Sequence, residues 1–337
     1  MRCAVVDEVR SECARLPQRP PGFSEPKGAS VTKIGPYLCE TSFKTFGSGS
    51  AQWCFATYDG NRFFIKRFLS PVCPAISSDG QSALQRARMA RCEVFLQHKQ
   101  SVYDALSCVL GDWVVPVTDF FIHENHFIAV SEAIDPTSQT FETLGHQPPA
   151  RARELLYALA CCLARLHAQG LVHGDLKPEH ILLQQQNGHD RVRLIDFDSS
   201  FLGGNISMDA SQAEGDPLYL APETFQRMAG GSQRLTYKVD TFAYGLIAHQ
   251  LLSGNLPDFD HDRFHFPCEA VLSGNPLRLS DGLPTAYRWM IRKALSPTPD
   301  SRPEDSLLQR FLAPPGLRYI PSGLPVNSLS RYWKAGS

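Results

Sequence analysis

Two short segments of this sequence bring together side chains that could carry chemistry. The first, HGDLKPEH, contains Asp175, Lys177 and His180, and the second, RLIDFD, contains Asp196 and Asp198. Carboxylates of this kind accept protons and bind divalent cations, and a lysine neutralises negative charge on a reacting group. The alternative is that these acids merely cap turns. The two segments define the candidate site.

The surrounding patterns predict how these segments are held. Leucines recur at helical spacing in RARELLYALACCLARLHAQG, and Gly170 is a typical residue to end that helix. Two short apolar runs, HILLQQ and VRLIDF, predict small strands on either side of a loop. Further on, GDPLYLAPE ends at Glu223. The order is therefore helix, charged loop, strand, acidic turn and then the A-P-E segment.

In this order the segments resemble the catalytic loop, metal-binding turn and A-P-E segment of eukaryotic-type (Hanks-type) Ser/Thr protein kinases. Among these kinases the chain looks more like bacterial members of the family. The resemblance covers about residues 37–312. It implies an α+β, bilobal fold with a β-rich N-lobe, one main N-lobe helix and a mostly α C-lobe. We expect an N-terminal extension (1–36), an N-lobe (37–134), a C-lobe (135–312) and a C-terminal tail (313–337).

The resemblance also implies roles for the charged residues. Asp175 would accept the proton of the substrate hydroxyl, and Lys177 would lie near the transferring phosphate, as is typical of Ser/Thr rather than Tyr kinases. Asp196 would hold the magnesium ion that bridges the phosphates of ATP.

Residues that match the family's ATP site lie earlier in the chain. Gly47, Ser48 and Gly49 match the start of the Gly-rich loop, where glycine permits close approach of the backbone to phosphates. Lys66 matches the strand lysine that reaches the phosphates, and Glu93 is the candidate for its ion-pair partner. The alternatives are an exposed edge lysine and a solvated helix face.

A hinge and three framework residues complete the resemblance. Main-chain groups near Glu132 and Ala133 would bind adenine. Asp240 resembles the helix aspartate that braces the catalytic loop, and Arg302 resembles the arginine that pairs with Glu223 of the A-P-E segment. Small-molecule kinases with an H-G-D loop lack that segment, so its presence favours a protein substrate.

Three departures from the family pattern affect the site, and a fourth affects its control. His180 replaces the metal-binding asparagine, and an imidazole suits Mn²⁺ better than Mg²⁺. It could ligate metal, hydrogen-bond the loop or fill space. Asp198 replaces the glycine of D-F-G, and we hypothesise that it partly replaces the lost ligand or pairs with His180. Asp216 replaces the usual threonine. Gly174 replaces the arginine that reads phosphorylation, so control through such a clamp is not expected.

The remaining patterns separate the chain into two halves. Aromatic and β-branched runs predict strands at YLCETSF, AQWCFATY, FFIKRF, WVVPVTDFFI and HFIAVSEAI, with Asp59-Gly60-Asn61 as a hairpin turn. A helix is predicted from Ser82 to about Gln100, and a longer one from about Thr236 to Leu252.

Composition limits location and partners. The formal net charge is -1, which does not favour nucleic acid as a partner. Ten cysteines without C-x-x-C pairs fit a reducing cytosol, and no apolar run has the length of a membrane span. We expect a soluble, cytoplasmic protein with protein substrates. By analogy with bacterial kinases, a cognate metal-dependent protein phosphatase is the further partner.

Three functions stay open from the residues. The leading interpretation is an ATP-dependent Ser/Thr protein kinase, because Lys66, Asp175, Lys177 and Asp196 are all kept. A pseudokinase that binds nucleotide or partners without transfer is the second, motivated by His180 and Asp198. A kinase-fold AMP transferase is the third.

Overall fold

The computed structural model describes most of the chain and divides it into two compact units. The first unit comprises Met1–Gln100 and Pro116–Pro136, and the second comprises Ser101–Val115 and Thr137–Ser337. The described residues are 32–45, 51–74, 82–109, 111–134, 139–186, 189–203 and 215–313. Gly47, Ser48 and Gly49 lie outside them, as do most of the predicted extension and tail.

The first unit is built on an antiparallel sheet. Its order is β1-β2-β4-β5-β7-β6, and β3 pairs with β4. The strands are β1 (Lys33–Ile34), β2 (Tyr37–Cys39), β3 (Lys44–Thr45), β4 (Ala51–Tyr58), β5 (Asn61–Phe68), β6 (Val117–His123) and β7 (His126–Glu132). The β4–β5 hairpin turns at the predicted Asp59-Gly60, where both residues have positive φ.

Alternation along the strands gives this sheet a buried face. Cys54, Ile65, Ile128 and Val130 are completely buried there, and Tyr37 packs its ring against Phe63 and Phe121. Apolar burial of this kind, at about 25 cal/mol per Å², is the main force that holds such a sheet together.

The helix predicted over residues 82–100 is longer than expected. Helix α1 (Ala83–Ser107) continues past Gln100 because residues 101–107 contain no glycine or proline. Val102 and Leu106 are buried in the core of the second unit, so the last two turns belong to that core. Its length is therefore fixed by tertiary packing as well as by local propensity.

The second unit is mostly helical, as the resemblance implies. The helices are α2 (Phe141–Leu144), α3 (Pro149–Ala168), α4 (Pro222–Met228), α5 (Lys238–Ser253), α6 (Pro267–Leu272), α7 (Thr285–Ala294) and α8 (Asp305–Leu312). Short strands β8 (Gln139–Thr140), β9 (Leu171–Val172), β10 (Ile181–Gln186), β11 (His189–Leu194) and β12 (Phe201–Leu202) form two small antiparallel sheets.

Helix α5 is the centre of this unit. Almost all of its residues are buried, and Gly254 ends it in the left-handed conformation that favours glycine. The leucine stripe of α3 packs in the same core, where Leu156, Leu159 and Leu166 are completely buried. These two helices provide the rigid base from which the catalytic-loop residues project.

Among the described residues, no helix is both long and apolar enough to cross a membrane.

Candidate active site

The loop that carries Asp175 is held from below by one buried carboxylate. Asp240 on α5 is 1% exposed. Its Oδ2 accepts from the backbone N–H of His173 at 2.8 Å, and its Oδ1 accepts from the N–H of Gly174 at 3.0 Å. Hydrogen bonds to an ionised acceptor are the stronger kind, so this contact fixes the loop immediately before Asp175.

A histidine from α3 keeps that carboxylate ionised. His167 Nε2 lies 2.9 Å from Asp240 Oδ2, and its Nδ1 lies 2.7 Å from Asp305 Oδ2 on α8. Burial alone would lower the pKa of His167, but the carboxylates of Asp305 and Asp240 outweigh it and raise the pKa to about 9. Burial would raise the pKa of Asp240, but the hydrogen bond and charge of His167 lower it on balance.

Gly174 is required where the family often has arginine. Its φ is +80°, and a Cβ there would lie 2.4 Å from the carbonyl oxygen of Ser199. Any side chain would force the backbone of the acidic turn away from the loop. The glycine therefore allows these two segments to approach each other closely.

Three charged side chains converge on this loop. Lys177 Nζ lies 3.7 Å from Asp175 Oδ2 and 3.4 Å from Asp216 Oδ2. The backbone N–H of Asp216 also donates to Asp175 Oδ1 at 2.7 Å. Partial burial would lower the pKa of Lys177, but Asp175 and Asp216 outweigh it and raise the pKa, which holds the side chain as an ammonium.

The ring of His180 lies between two of the carboxylates. Its Nδ1 is 2.9 Å from the carbonyl oxygen of Asp175, and a carbonyl only accepts, so Nδ1 carries the proton. In the neutral ring Nε2 is then an acceptor, and it lies 3.7 Å from Asp196 Oδ2. With a neutral ring these two atoms are potential ligands of a divalent cation, whereas a protonated ring would instead pair with both carboxylates.

The acidic turn supplies the second carboxylate in a special backbone conformation. Asp196 has a φ of 61°, which few residues other than glycine, asparagine and aspartate adopt. Phe197 is buried against the ring of His173 at 5.1 Å between centroids, and this contact anchors the turn. The N–H of Asp198 donates to Asp196 Oδ1 at 3.4 Å.

The donor set suits a divalent cation that takes further ligands from elsewhere. Among the described residues, no three His, Cys, Asp or Glu side chains are grouped to hold a metal by themselves. Asp196 and Nε2 of His180 offer one oxygen and one nitrogen, which fits Mn²⁺ better than Mg²⁺. Water and phosphate oxygens would have to complete the coordination shell.

Lys66 and Glu93, expected to form an ion pair, both lie in the first unit. Lys66 is half-buried on β5, opposite Trp53 and Ala129 of the neighbouring strands. Glu93 is half-buried on α1. Its ion pair with Lys66 stays a prediction.

The predicted hinge follows β7. The N–H of Ala133 donates to the carbonyl oxygen of Arg62 at 3.1 Å, which uses the only main-chain donor of Ala133 within the sheet. Glu132 pairs with Phe63 on β5. A ligand at this segment would therefore have to use main-chain groups other than the N–H of Ala133.

The framework pair expected at the A-P-E segment is bidentate and buried. Arg302 donates from Nη1 to Glu223 Oε1 at 2.6 Å and from Nη2 to Glu223 Oε2 at 2.8 Å. Arg302 is 2% exposed and Glu223 is 5% exposed. The same guanidinium also donates to the carbonyls of Ser296 and Lys238.

Sequence reasoning missed His167 and Asp305. His167 lies within a run that reads as part of a helix, and Asp305 lies far along the chain on α8. The only signal in the sequence was that His167 is an ionisable residue on the apolar stripe of α3. An ionisable side chain that is buried there needs a polar partner.

The chain has two compact units, a loop held by the buried carboxylate of Asp240, and an acidic turn. Together these features are characteristic of the protein-kinase fold. A family model described as the protein kinase domain matches residues 98–304, more than half of the chain. The chain therefore belongs to the protein kinase family, as its motifs indicated.

Similar proteins include bacterial Ser/Thr kinases. The chain is 31% identical over 218 residues to serine/threonine-protein kinase pkn2 of Myxococcus xanthus, covering 60% of this chain and 25% of that protein. It is 30% identical over 220 residues to PkaA of Streptomyces coelicolor, covering 64% and 38%. The chain thus spans well under half of the length of these relatives.

A solved structure supports the fold. The PknI kinase domain of Mycobacterium tuberculosis, in a double-mutant form, matches with a TM-score of 0.54 at 18% identity. The match covers 84% of this chain and 96% of that domain.

Proposed function

We propose that this chain is an ATP-dependent Ser/Thr protein kinase that transfers the γ-phosphate to protein hydroxyls. The observation that carries the proposal is the arrangement at Asp175. Its loop is fixed by Asp240, Lys177 lies 3.7 Å from its carboxylate, and His180 lies between it and Asp196.

Each residue has a role that its surroundings support. Asp175 accepts the proton of the acceptor hydroxyl, and Lys177, held as an ammonium, neutralises charge on the transferring phosphate. Lys66 binds the phosphates of ATP, and Glu93 is its ion-pair partner. Gly47, Ser48 and Gly49 contact the phosphates, and main chain near Glu132 and Ala133 binds adenine.

Asp196 and His180 are the residues that would hold the metal, with Asp198 as a further ligand or as a partner of His180. A bound divalent cation supplies charge neutralisation at the phosphates. The imidazole favours Mn²⁺, although Mg²⁺ is the family's usual ion.

The second candidate is a pseudokinase, and His180 is the observation that favours it. The ring fills the position between Asp175 and Asp196, with contacts of 3.6 and 3.7 Å to their carboxylates. A side chain in this place can hold the two carboxylates in position without any metal, and the protein would then act through nucleotide or partner binding.

The proposal extends to domains and partners. We assign residues 37–134 to the N-lobe and 135–312 to the C-lobe, flanked by an extension (1–36) and a tail (313–337). Protein substrates are the partners, and a cognate protein phosphatase is the expected antagonist. A cytoplasmic location, without nucleic acid or membrane as partners, goes with this role.

The test is a transfer assay with two positions of the label. The full chain is incubated with a general protein acceptor and either γ-labelled or α-labelled ATP, with Mg²⁺ and Mn²⁺ in separate reactions. Label transferred from the γ position alone supports the kinase. Label transferred from the α position supports an AMP transferase. Nucleotide binding without transfer under either metal supports the pseudokinase.

A further inference from the structure

A groove on the second unit contains no residue of the catalytic loop or the acidic turn, although Ser301 lines it next to the framework residue Arg302. It has a volume of about 510 Å³ and lies between α7 and the segment that follows α6. Its apolar walls include Val271, Leu277, Leu279 and Leu295. Trp289 lines it as well and is 48% exposed. A large aromatic side chain beside an apolar groove is the usual anchor of a binding surface.

The charged residues that line this groove are all basic. Arg292 and Lys293 line it and are exposed, and no aspartate or glutamate is among its lining residues. Neither cation forms a hydrogen bond or ion pair with any described residue. Cations are favoured at the C-terminal end of a helix such as α7, but that preference does not explain an exposed tryptophan beside them.

We propose that this groove, lined by Trp289, Arg292 and Lys293, docks an acidic segment with apolar side chains from a protein partner. The apolar walls would bury leucine-like or aromatic side chains, and the two cations would face carboxylates at the rim. Charge complementarity of this sort selects the partner and speeds its association more than it adds affinity. The docking surface is independent of phosphoryl transfer.

The chain's own C-terminal residues are the rival occupant. Phe311 of α8 contacts Trp289 with ring centroids 6.2 Å apart, and residues 314–337 follow α8 in the sequence. That stretch contains Arg318, Arg331 and Lys334 and no aspartate or glutamate. Its charge therefore has the same sign as the groove, which is why we assign the groove to a partner.

The test measures binding of two labelled synthetic peptides to the full chain by fluorescence anisotropy. Both peptides carry the same leucine and phenylalanine residues, and the residues between them are glutamate in one and lysine in the other. We expect the glutamate peptide alone to bind, with affinity that falls as salt is raised. The double variant Arg292→Glu/Lys293→Glu should weaken binding roughly tenfold or more.

Control variants separate this site from general charge. Arg234→Glu reverses an exposed cation of the same unit outside the groove and should leave binding unchanged. Trp289→Ala should weaken binding through loss of the anchor, while circular dichroism verifies that each variant is folded. Three results would overturn the proposal: no binding of the glutamate peptide, as a groove filled by the chain's own tail would give; equal binding of the lysine peptide; or equal weakening by Arg234→Glu.

Discussion

The carboxylate of Asp216 lies 3.4 Å from the ammonium of Lys177, nearer than the 3.7 Å that separates Lys177 from Asp175. Kinases of this family usually have a neutral threonine at the position of Asp216. In the reaction we propose, this negative charge would compete with the transferring phosphate for the same lysine. The contact would then slow transfer from the substrate side of the site.

Asp216→Thr should accordingly raise kcat. An ion pair of partly exposed side chains is worth about 0.2–1 kcal/mol, so we expect an increase of roughly 1.4- to fivefold. The backbone bond from residue 216 to Asp175 is kept in the variant. Asp216→Glu, which keeps the charge, is the matched control and should show no increase. A lower kcat for the threonine variant would mean that Asp216 assists transfer.

The metal site predicts a change of cation preference. Because His180 offers nitrogen where the family has an amide oxygen, the wild type should transfer faster with Mn²⁺ than with Mg²⁺. His180→Asn should lower the Mn²⁺/Mg²⁺ rate ratio roughly tenfold. Asp198→Gly alone should lower activity, and it should cost less in the His180→Asn background because the two positions are coupled. An unchanged ratio, together with unchanged or raised activity for Asp198→Gly, would remove both residues from the metal site.

The buried histidine predicts a pH dependence of stability. The pKa of His167 is about 9 in the folded chain against 6.5 for an ordinary histidine, so the shift stabilises the fold fully below pH 6.5. This contribution, roughly 3 kcal/mol, is lost as the pH rises through about 9. Urea unfolding on either side of this window should show the loss in the wild type. Asp305→Asn removes one of the two carboxylates and should reduce it, and an identical pH dependence in both proteins would refute the account.

The Arg302–Glu223 pair predicts that removing only one of the two partners destabilises the fold. Arg302→Met leaves Glu223 buried without its partner, which should lower the free energy of unfolding by about 3–5 kcal/mol. The double variant Glu223→Leu/Arg302→Met should recover part of that loss. Arg62→Met, which breaks the exposed pair with Glu40, should cause no measurable change. The prediction fails if the two single arginine variants are equally stable.

Local sequence patterns were enough to predict most of the helices and strands. Where an observed boundary differs from the prediction, a long-range contact explains the difference. The helix predicted from Thr236 to Leu252 is observed as Lys238–Ser253, a segment in which apolar residues predominate and neither proline nor an early glycine interrupts the helix. The strand predicted from Trp113 begins instead at Val117, since Val114 pairs with Leu194 in the second unit. A pattern within one segment of the sequence cannot indicate a pairing with a distant segment.

The candidate site, too, was predictable only in part from the sequence. Motif order predicted roles for Asp175, Lys177 and Asp196 because their spacing along the chain carries the resemblance. The contacts of Asp216 with Lys177 and of His167 with Asp305 depend on how distant segments meet in the folded chain. The sequence showed that Asp216 replaces the usual threonine, but only the folded chain reveals that it contacts Lys177 and that a charged histidine lies beneath the loop.

The central claim is that Asp175 serves as the base in transfer of the γ-phosphate. The most direct measurement compares the rate of γ-label transfer to protein for Asp175→Ala and for Asp262→Ala, which removes an exposed carboxylate of the same unit. We predict a loss of roughly 10²–10⁴-fold for Asp175→Ala, with ATP binding retained, and no loss for Asp262→Ala. A transfer rate that Asp175→Ala leaves unchanged would contradict the account.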